Sequence, residues 1–430
     1  MNLKPKVQKF GGSSLENAAA FDRVSRIIQA RQTTGTVIVT SAMRGVTDAL
    51  LESARLAQQC RMDDALHIIA SQLDRHTQVA RTLLPPPAFT STAARITAAR
   101  ANIIKLLELL APRSVSPAPL LDEISSYGEL LSTMLLAAVL RQKELPAREV
   151  DARRCIITDD AHGCANPVHD ATMNHTRAEL EPIINSSSIP VLGGFIASSA
   201  SGATTTLGRN GSDYTAALVG AALSAEEVQI WTDVPGVLSA DPHLVTKAHT
   251  VQRLSYAEAE TLAYFGAKVL YPKAIPPLAR LGIPLRVCNS LLEDGETCVS
   301  APPQTSPPAV KAIVQQLGSV LVEEGRVIIC LVGEGLRSAP WVAARVFDLL
   351  REMKIRLVAE EALSAGLLFV VEAMQVDEIV ARLHESFFSD AEKTAVHGRA
   401  ASRRRRRLSQ FTIDRDSLSW NTPIPRRSDE

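Results

Sequence analysis

At 430 residues the chain is long for one domain, and 46% hydrophobic with 21% charged side chains is the balance of a globular protein with a sizeable core. Lys plus Arg and Asp plus Glu both count 46 and aromatics are 4%, which argues against nucleic-acid, membrane-surface and base-stacking partners. The six cysteines form no C-x-x-C pair and no apolar run is long enough to span a bilayer, so a cytoplasmic protein with reduced thiols is expected.

Val7 to Phe10 is a short apolar run containing Lys9, followed by Gly11-Gly12-Ser13-Ser14 and an amphipathic helix from near Glu16. Paired glycines let the backbone approach a bulky group, and their N–H groups at a helix start attract an anion. Lys9 adds a positive charge. Read alone, such a turn is more often an ordinary strand-to-helix connection.

Phe21 to Ala30 reads as helix and Thr36 to Ser41 as a fully apolar strand ending in hydroxyls, the start of a parallel α/β sheet. Residues 48–111 have helical spacing broken by Pro85-Pro86-Pro87, which predicts two or three helices. Pro112 to Pro119 reads as a loop, and Asp122 to Glu129 leads into a helix over Leu130 to Arg141. Ala147 to Arg153 and Cys155 to Asp159 read as a short strand and its exit. His162, Cys164, His169 and His175 are spaced too loosely for zinc and read as a solvated loop. Ile189 to Ile196 is a buried strand broken by Gly193-Gly194, and Leu207 to Asp213 opens a helix over Tyr214 to Leu223. Val228 to Asp233 is a strand, Ser255 to Tyr264 a charged helix and Ile283 to Asn289 a last strand.

Ala301 to Pro308 is the clearest linker. Beyond it, strands at Val310–Gln315, Ser319–Val322 and Arg326–Val332 precede a helix (340–353), two strands (355–360 and 367–372) and a helix (376–388). That order predicts a small ferredoxin-like α+β sheet with helices on one face. After Ser389 the apolar pattern stops, and Arg403 to Arg407 sit in a tail expected to be disordered.

Three glycine turns, at 11–12, 193–194 and 208–211, follow strand ends in one α/β unit, where ligands lie in open sheets. Neither a P-loop nor a Rossmann pattern is present. Asp213 suits either a metal or the task of holding a lysine.

Lys9-Phe-Gly-Gly-Ser-Ser14 resembles the signature that opens aspartate kinases of the amino-acid kinase family. The match continues through Val39-Thr-Ser-Ala42, Gly45-Val-Thr47, Tyr127-Gly-Glu129, Gly194-Phe195, Leu207-Gly-Arg-Asn-Gly-Ser-Asp213 and Trp231-Thr-Asp-Val-Pro-Gly236. It adds Asp241-Pro242, Phe265-Gly-Ala-Lys-Val-Leu270 and Arg286-Val-Cys-Asn289, and so covers the chain from about Lys6 to Asn289.

The resemblance implies a three-layer α/β/α fold with a mainly parallel central sheet over residues 1–300. A linker at 301–308, an ACT-like regulatory domain at 309–389 and a tail at 390–430 follow. It implies transfer of the ATP γ-phosphoryl to the side-chain carboxylate of L-aspartate, the first step towards lysine, threonine and methionine. Mg2+ would arrive with the nucleotide rather than on a protein metal site.

By the same resemblance Lys9, Gly11 and Gly12 meet the phosphoryl, and Ser41 and Asp213 hold Lys9 and the nucleotide in register. Arg209, Glu129, Thr47 and Ser212 bind aspartate; Thr232 and Asp233 contact the nucleoside, and Lys268 the ATP phosphates. Read singly, Glu129 equally suits a helix-dipole charge, Arg209 a surface ion pair and Lys268 a solvated helix charge. A homodimer or larger oligomer through the ACT-like region is expected. Other readings are a kinase for another amino-acid carboxylate, such as glutamate, and an amino-acid-binding regulator without catalysis.

Three positions depart from the family pattern: Leu238 stands for Tyr, His243 for Arg and Tyr271 for His. A histidine in place of the always-charged arginine gives up one permanent cationic phosphate contact. His243→Arg is therefore expected to lower the KM for ATP; an unchanged KM would refute the assignment.

Overall fold

The computed structural model describes residues 4–33, 35–110, 117–265, 269–292, 296–301, 312–317, 326–334, 336, 339–353, 355, 357–360 and 365–388. Residues 1–387 form one compact unit; of the second, 388–430, only Phe388 is described. Lys268, Ser319–Val322, most of the 301–308 linker and the Arg403–Arg407 run lie outside the described residues.

Strand β1 (Lys6–Phe10) lies at the middle of the main sheet. Asn17 caps α1 (Ala18–Arg31), its side-chain oxygen accepting the Ala20 N–H at 3.0 Å. β2 (Thr36–Thr40) is five buried β-branched residues, the composition a pleated interior favours. α2 (Val46–Gln58), α3 (Met62–Leu83) and α4 (Pro86–Leu110) follow. The proline triplet starts α4 rather than interrupting it, because a first-turn proline gives up no helical hydrogen bond.

The next helix corrects the sequence reading. α5 spans Pro117–Gln142, so residues 117–119 are not loop and Glu129 lies inside a 26-residue helix. Its prolines again occupy the first turn, and its long, nearly all-round buried stretch blurs the periodicity that marks a surface helix. β3 (Ala147–Val150), β4 (Ile157–Thr158), α6 (His169–Asn185), β5 (Ile189–Gly193), β6 (Ile196–Ser199), β7 (Thr204–Thr206), α7 (Gly211–Ala222) and β8 (Glu227–Thr232) follow. The stretch read as a solvated loop at 161–175 therefore ends in α6.

β9 (Arg253–Ser255) leads into α8 (Tyr256–Tyr264) through a Ser255/Glu258 capping box. After α9 (Ile275–Ala279) come β10 (Leu285–Asn289) and β11 (Glu296–Ser300). The main sheet has the order β3-β5-β2-β1-β8-β10-β11-β9 and is parallel except between β10 and β11. Ile38, Val191 and Trp231 face a core shared with α1–α5, while Val7, Val39 and Ile230 face one shared with α6–α9. The result is a three-layer α/β/α sandwich. β4, β6 and β7 form a separate small sheet.

β12 (Ala312–Leu317), β13 (Arg326–Val332), α10 (Pro340–Leu349), β14 (Leu357–Glu360), β15 (Gly366–Glu372) and α11 (Val376–Phe388) complete the described chain. Their antiparallel sheet has the order β12-β13-β15-β14. β12, arriving from the linker, takes the outer place beside β13 that the strand after α11 takes in an uninterrupted ferredoxin-like unit.

Among the described residues no helix is long and apolar enough to cross a membrane. Ile38 is 0% exposed at the centre of the main sheet. Ile38→Ala is expected to lower stability by about 2–5 kcal/mol, against roughly 0.5 kcal/mol or less for the exposed Leu51→Ala, in urea unfolding. Equal losses would contradict the packing described.

Candidate active site

The strand ends assemble the site. Phe10 pairs in register with Thr40 and with Trp231, and Thr40 with Gly193, so four parallel strands end side by side. β1 is where the order turns outward in both directions, the switch point at which such sheets bind ligands. The turns are stitched together: Gly194 N–H donates to Thr40 O at 2.8 Å and Ser41 N–H to Phe10 O at 3.0 Å.

Gly11 N–H likewise donates to Trp231 O at 3.1 Å. That corrects the expected role of Gly11 as a phosphate donor: its N–H is already used across the sheet. Gly12 closes the turn onto the next loop, its carbonyl accepting the Arg44 N–H at 3.1 Å. A Cβ on Gly12 would stand 2.9 Å from Ala42 O, so only glycine fits without a shift. Ser14 faces inward, its hydroxyl 2.8 Å from that of Ser290.

Lys9, 8% exposed, points its ammonium at Asp213 Oδ1, 2.7 Å away. Asp213 occupies the first turn of α7, where the helix N-terminus favours an acidic side chain. Glu129 comes from the opposite layer. It is 3% exposed; Oε1 accepts the Ala42 N–H at 3.1 Å and Oε2 has no hydrogen-bond partner among the described residues. Thr133 anchors this stretch of α5, its hydroxyl donating to Glu129 O at 2.7 Å and lying 2.8 Å from the Thr40 hydroxyl.

Burial pushes the Glu129 carboxyl up to about 8, against the lesser opposing pulls of the Ala42 N–H and the Lys9 charge. Glu129 cannot be a helix-dipole charge, because it sits mid-helix and faces this crevice.

Arg209 lies in the turn between β7 and α7, exposed and without an ion pair among the described residues. Asn210 beside it holds φ 58°, an uncommon backbone for a side-chain-bearing residue. Ser212 is 6% exposed and packs under Gly194, where a Cβ would fall 2.5 Å from its own. Ser41 and Thr47 are half-buried at the end of β2 and the start of α2. Thr232 and Asp233 stand at the open end of β8, the Thr232 hydroxyl donating to Asp233 Oδ1 at 3.1 Å. The strand-end register aligns the turns of Lys9, Gly12, Ser41 and Thr232, while Lys268 lies outside the described residues.

Tyr271, named from the sequence only as a departure from the family pattern, packs against α7. Tyr271 and Tyr214 meet edge to face at 6.4 Å, and burial, with Cys164, Tyr214 and Asp213 nearby, pushes the Tyr271 phenol up to about 12. His243 is exposed in an Asp241-capped turn.

Residues 4–289 match the family model described as the amino acid kinase family. The chain belongs to the amino acid kinase family. Residues 329–387 match an ACT domain model. Lysine-sensitive aspartokinase 3 of Escherichia coli K12 is 30% identical over 455 aligned residues, covering 89% of this chain and 99% of that one. An alignment longer than the 430-residue chain means that relative carries residues without a counterpart here.

The bifunctional aspartokinase/homoserine dehydrogenase 2 of Arabidopsis thaliana is 30% identical over 89% of this chain, which spans only 42% of it. The solved structure of E. coli aspartokinase III with aspartate and ADP superposes with a TM-score of 0.77 at 29% identity, covering 90% of this chain and all of that one. The mainly parallel sheet and the ACT unit are those of the aspartokinases.

Glu129 makes a checkable pH signature. An unfolded glutamate ionises near 4.5, whereas folded Glu129 keeps its proton to about 8. Between those values the folded state holds the extra proton, so stability falls as pH rises through the window. Glu129→Gln should flatten that part of the urea-midpoint profile; an unchanged slope would mean the carboxyl is already ionised.

Proposed function

We propose that the chain transfers the γ-phosphoryl of ATP to the side-chain carboxylate of L-aspartate, giving 4-phospho-L-aspartate. The observation that carries this is Glu129, a buried carboxyl with one oxygen unpartnered, facing the crevice that holds the buried Lys9 ammonium; an arriving cation would favour its ionised form. An α-ammonium is the natural partner for that oxygen. The E. coli structure bound to aspartate and ADP supports both substrates.

The acceptor carboxylate is ionised at neutral pH and needs no general base. Catalysis then consists of alignment and charge stabilisation. Lys9, held by Asp213, neutralises charge on the transferring group, and Gly12 leaves room for it to approach the backbone. Glu129 takes the α-ammonium and Arg209 forks onto the α-carboxylate. Ser212 and Thr47 border the substrate, and Ser41 keeps the end of β2 against Phe10. Thr232 and Asp233 meet the nucleoside, and Lys268 the phosphates.

Mg2+ neutralises nucleotide phosphates and comes with them. The 2.7 Å pairing of Asp213 with Lys9 supports a role for that carboxylate in holding the lysine.

A hydroxamate assay with ATP, Mg2+ and either aspartate, glutamate or acetylglutamate tests the reading. Product with aspartate alone supports it; product with glutamate alone would move the assignment to that acceptor. Lys9→Ala should lower kcat by about a thousandfold. Arg209→Ala should raise the KM for aspartate by about a hundredfold and leave that for ATP nearly unchanged, and Arg209→Lys should not restore it. Near-normal turnover in Lys9→Ala would overturn the mechanism.

A further inference from the structure

Asp122 takes no part in the chemistry above, yet it is a buried charged side chain, 2% exposed. It stands on α5 seven residues before Glu129, two helical turns away on the same face. Its carboxylate collects donors from two other segments. Thr206 at the end of β7 donates its hydroxyl to Oδ1 at 2.6 Å. In the 161–165 loop, Gly163 N–H lies 3.1 and 3.0 Å from the two oxygens, and His162 Nδ1 donates to Oδ2 at 2.7 Å.

The same two segments form the backing of the Arg209 turn. Thr206 is three residues before Arg209, and its carbonyl accepts the Ala165 N–H at 2.8 Å. Cys164 and Gly163 abut Gly208: a Cβ there would stand 3.2 Å from Cys164 Sγ and 3.4 Å from Gly163 O. One carboxylate therefore ties the helix that carries Glu129 to both segments that support Arg209. A buried carboxylate costs free energy unless its oxygens are filled, and these donors fill them. An isosteric amide accepts on one side only, leaving donors unmatched.

We infer that Asp122, held with His162, is a positioning residue for Arg209. It sets the spacing between the two groups that grip an amino acid, Glu129 at the ammonium and Arg209 at the α-carboxylate. This rests on the aspartate-site reading.

The test is steady-state kinetics by the hydroxamate assay on the full chain. Asp122→Asn should raise the KM for aspartate about tenfold, with kcat and the KM for ATP within about twofold. His162→Ala should act in the same direction, and His162→Asn, whose Nδ2 falls where the imidazole Nδ1 does, should recover most of the loss. The decisive measurement is a double-mutant cycle: Asp122→Asn should add little to Arg209→Ala, because both act through one guanidinium.

Additive losses, or a fall in kcat with both KM values unchanged, would overturn the positioning role and leave Asp122 a structural residue. If Asp122→Asn does not fold, the His162 pair combined with Arg209→Ala decides by the same criterion. Wild-type protein forming no aspartyl hydroxamate would refute the aspartate reading and this inference with it. An active wild type with an unaltered Asp122→Asn would refute the inference alone.

Discussion

The contact between Lys9 and Asp213 organises the catalytic end of the molecule. A buried ammonium is costly without an anion beside it, and Asp213 supplies one at 2.7 Å. The aspartate is itself favoured where it sits, in the first turn of α7. The pair therefore locks the central strand to the helix that follows the Arg209 turn. Removing one partner would bury an uncompensated charge, which is why such pairs fail badly when halved. Glu129 lies within reach of the same positive charge, yet burial outweighs it and holds the carboxyl near 8. One of its oxygens has no hydrogen-bond partner among the described residues.

The sheet makes that arrangement affordable in conformational terms. Four parallel strands end together, and their N–H groups bridge from one turn to the next, so the glycine turns share a frame instead of moving as separate loops. α5 adds a rigid arm from the other layer, with Thr133 and Thr40 joining it to β2. On the far side, Glu258 acts twice. One oxygen caps α8 through the Ser255 N–H at 2.7 Å, and the other accepts the Glu334 N–H at 2.6 Å just beyond β13. With the buried Ser239–His384 contact at 2.9 Å, this joins the small antiparallel sheet and its helices to the catalytic layers through polar bonds.

Much of this was legible in the chain. Lys9-Phe-Gly-Gly, the Leu207–Asp213 run and the buried strands at 36–40, 189–193 and 228–232 announced a parallel sheet with glycine turns at its carboxyl edge. The strand expected at Val310–Gln315 was also readable, and β12 (Ala312–Leu317) does lie beside β13 in the small antiparallel sheet. Three features were not. α5 was shortened because an almost wholly buried helix lacks an apolar stripe, and because its prolines read as breakers although they begin it. β9 and β11 were passed over because each is short and their pairing is with residues distant in sequence. Asp122 and His162 carried no local signal at all, since a helix carboxylate and a loop imidazole 40 residues apart mean nothing until they meet at 2.7 Å.

The sequence alone determined a parallel α/β unit with glycine turns at its strand ends, since periodicity and glycine placement are properties of neighbouring positions, while the layer order and the residue set of the site came from the family resemblance. Only the tertiary structure decided which groups are available. It used the Gly11 N–H on Trp231, paired Lys9 with Asp213 and left one oxygen of Glu129 open. Those outcomes depend on burial and on contacts between residues far apart in the chain, and neither is written in any short stretch of it.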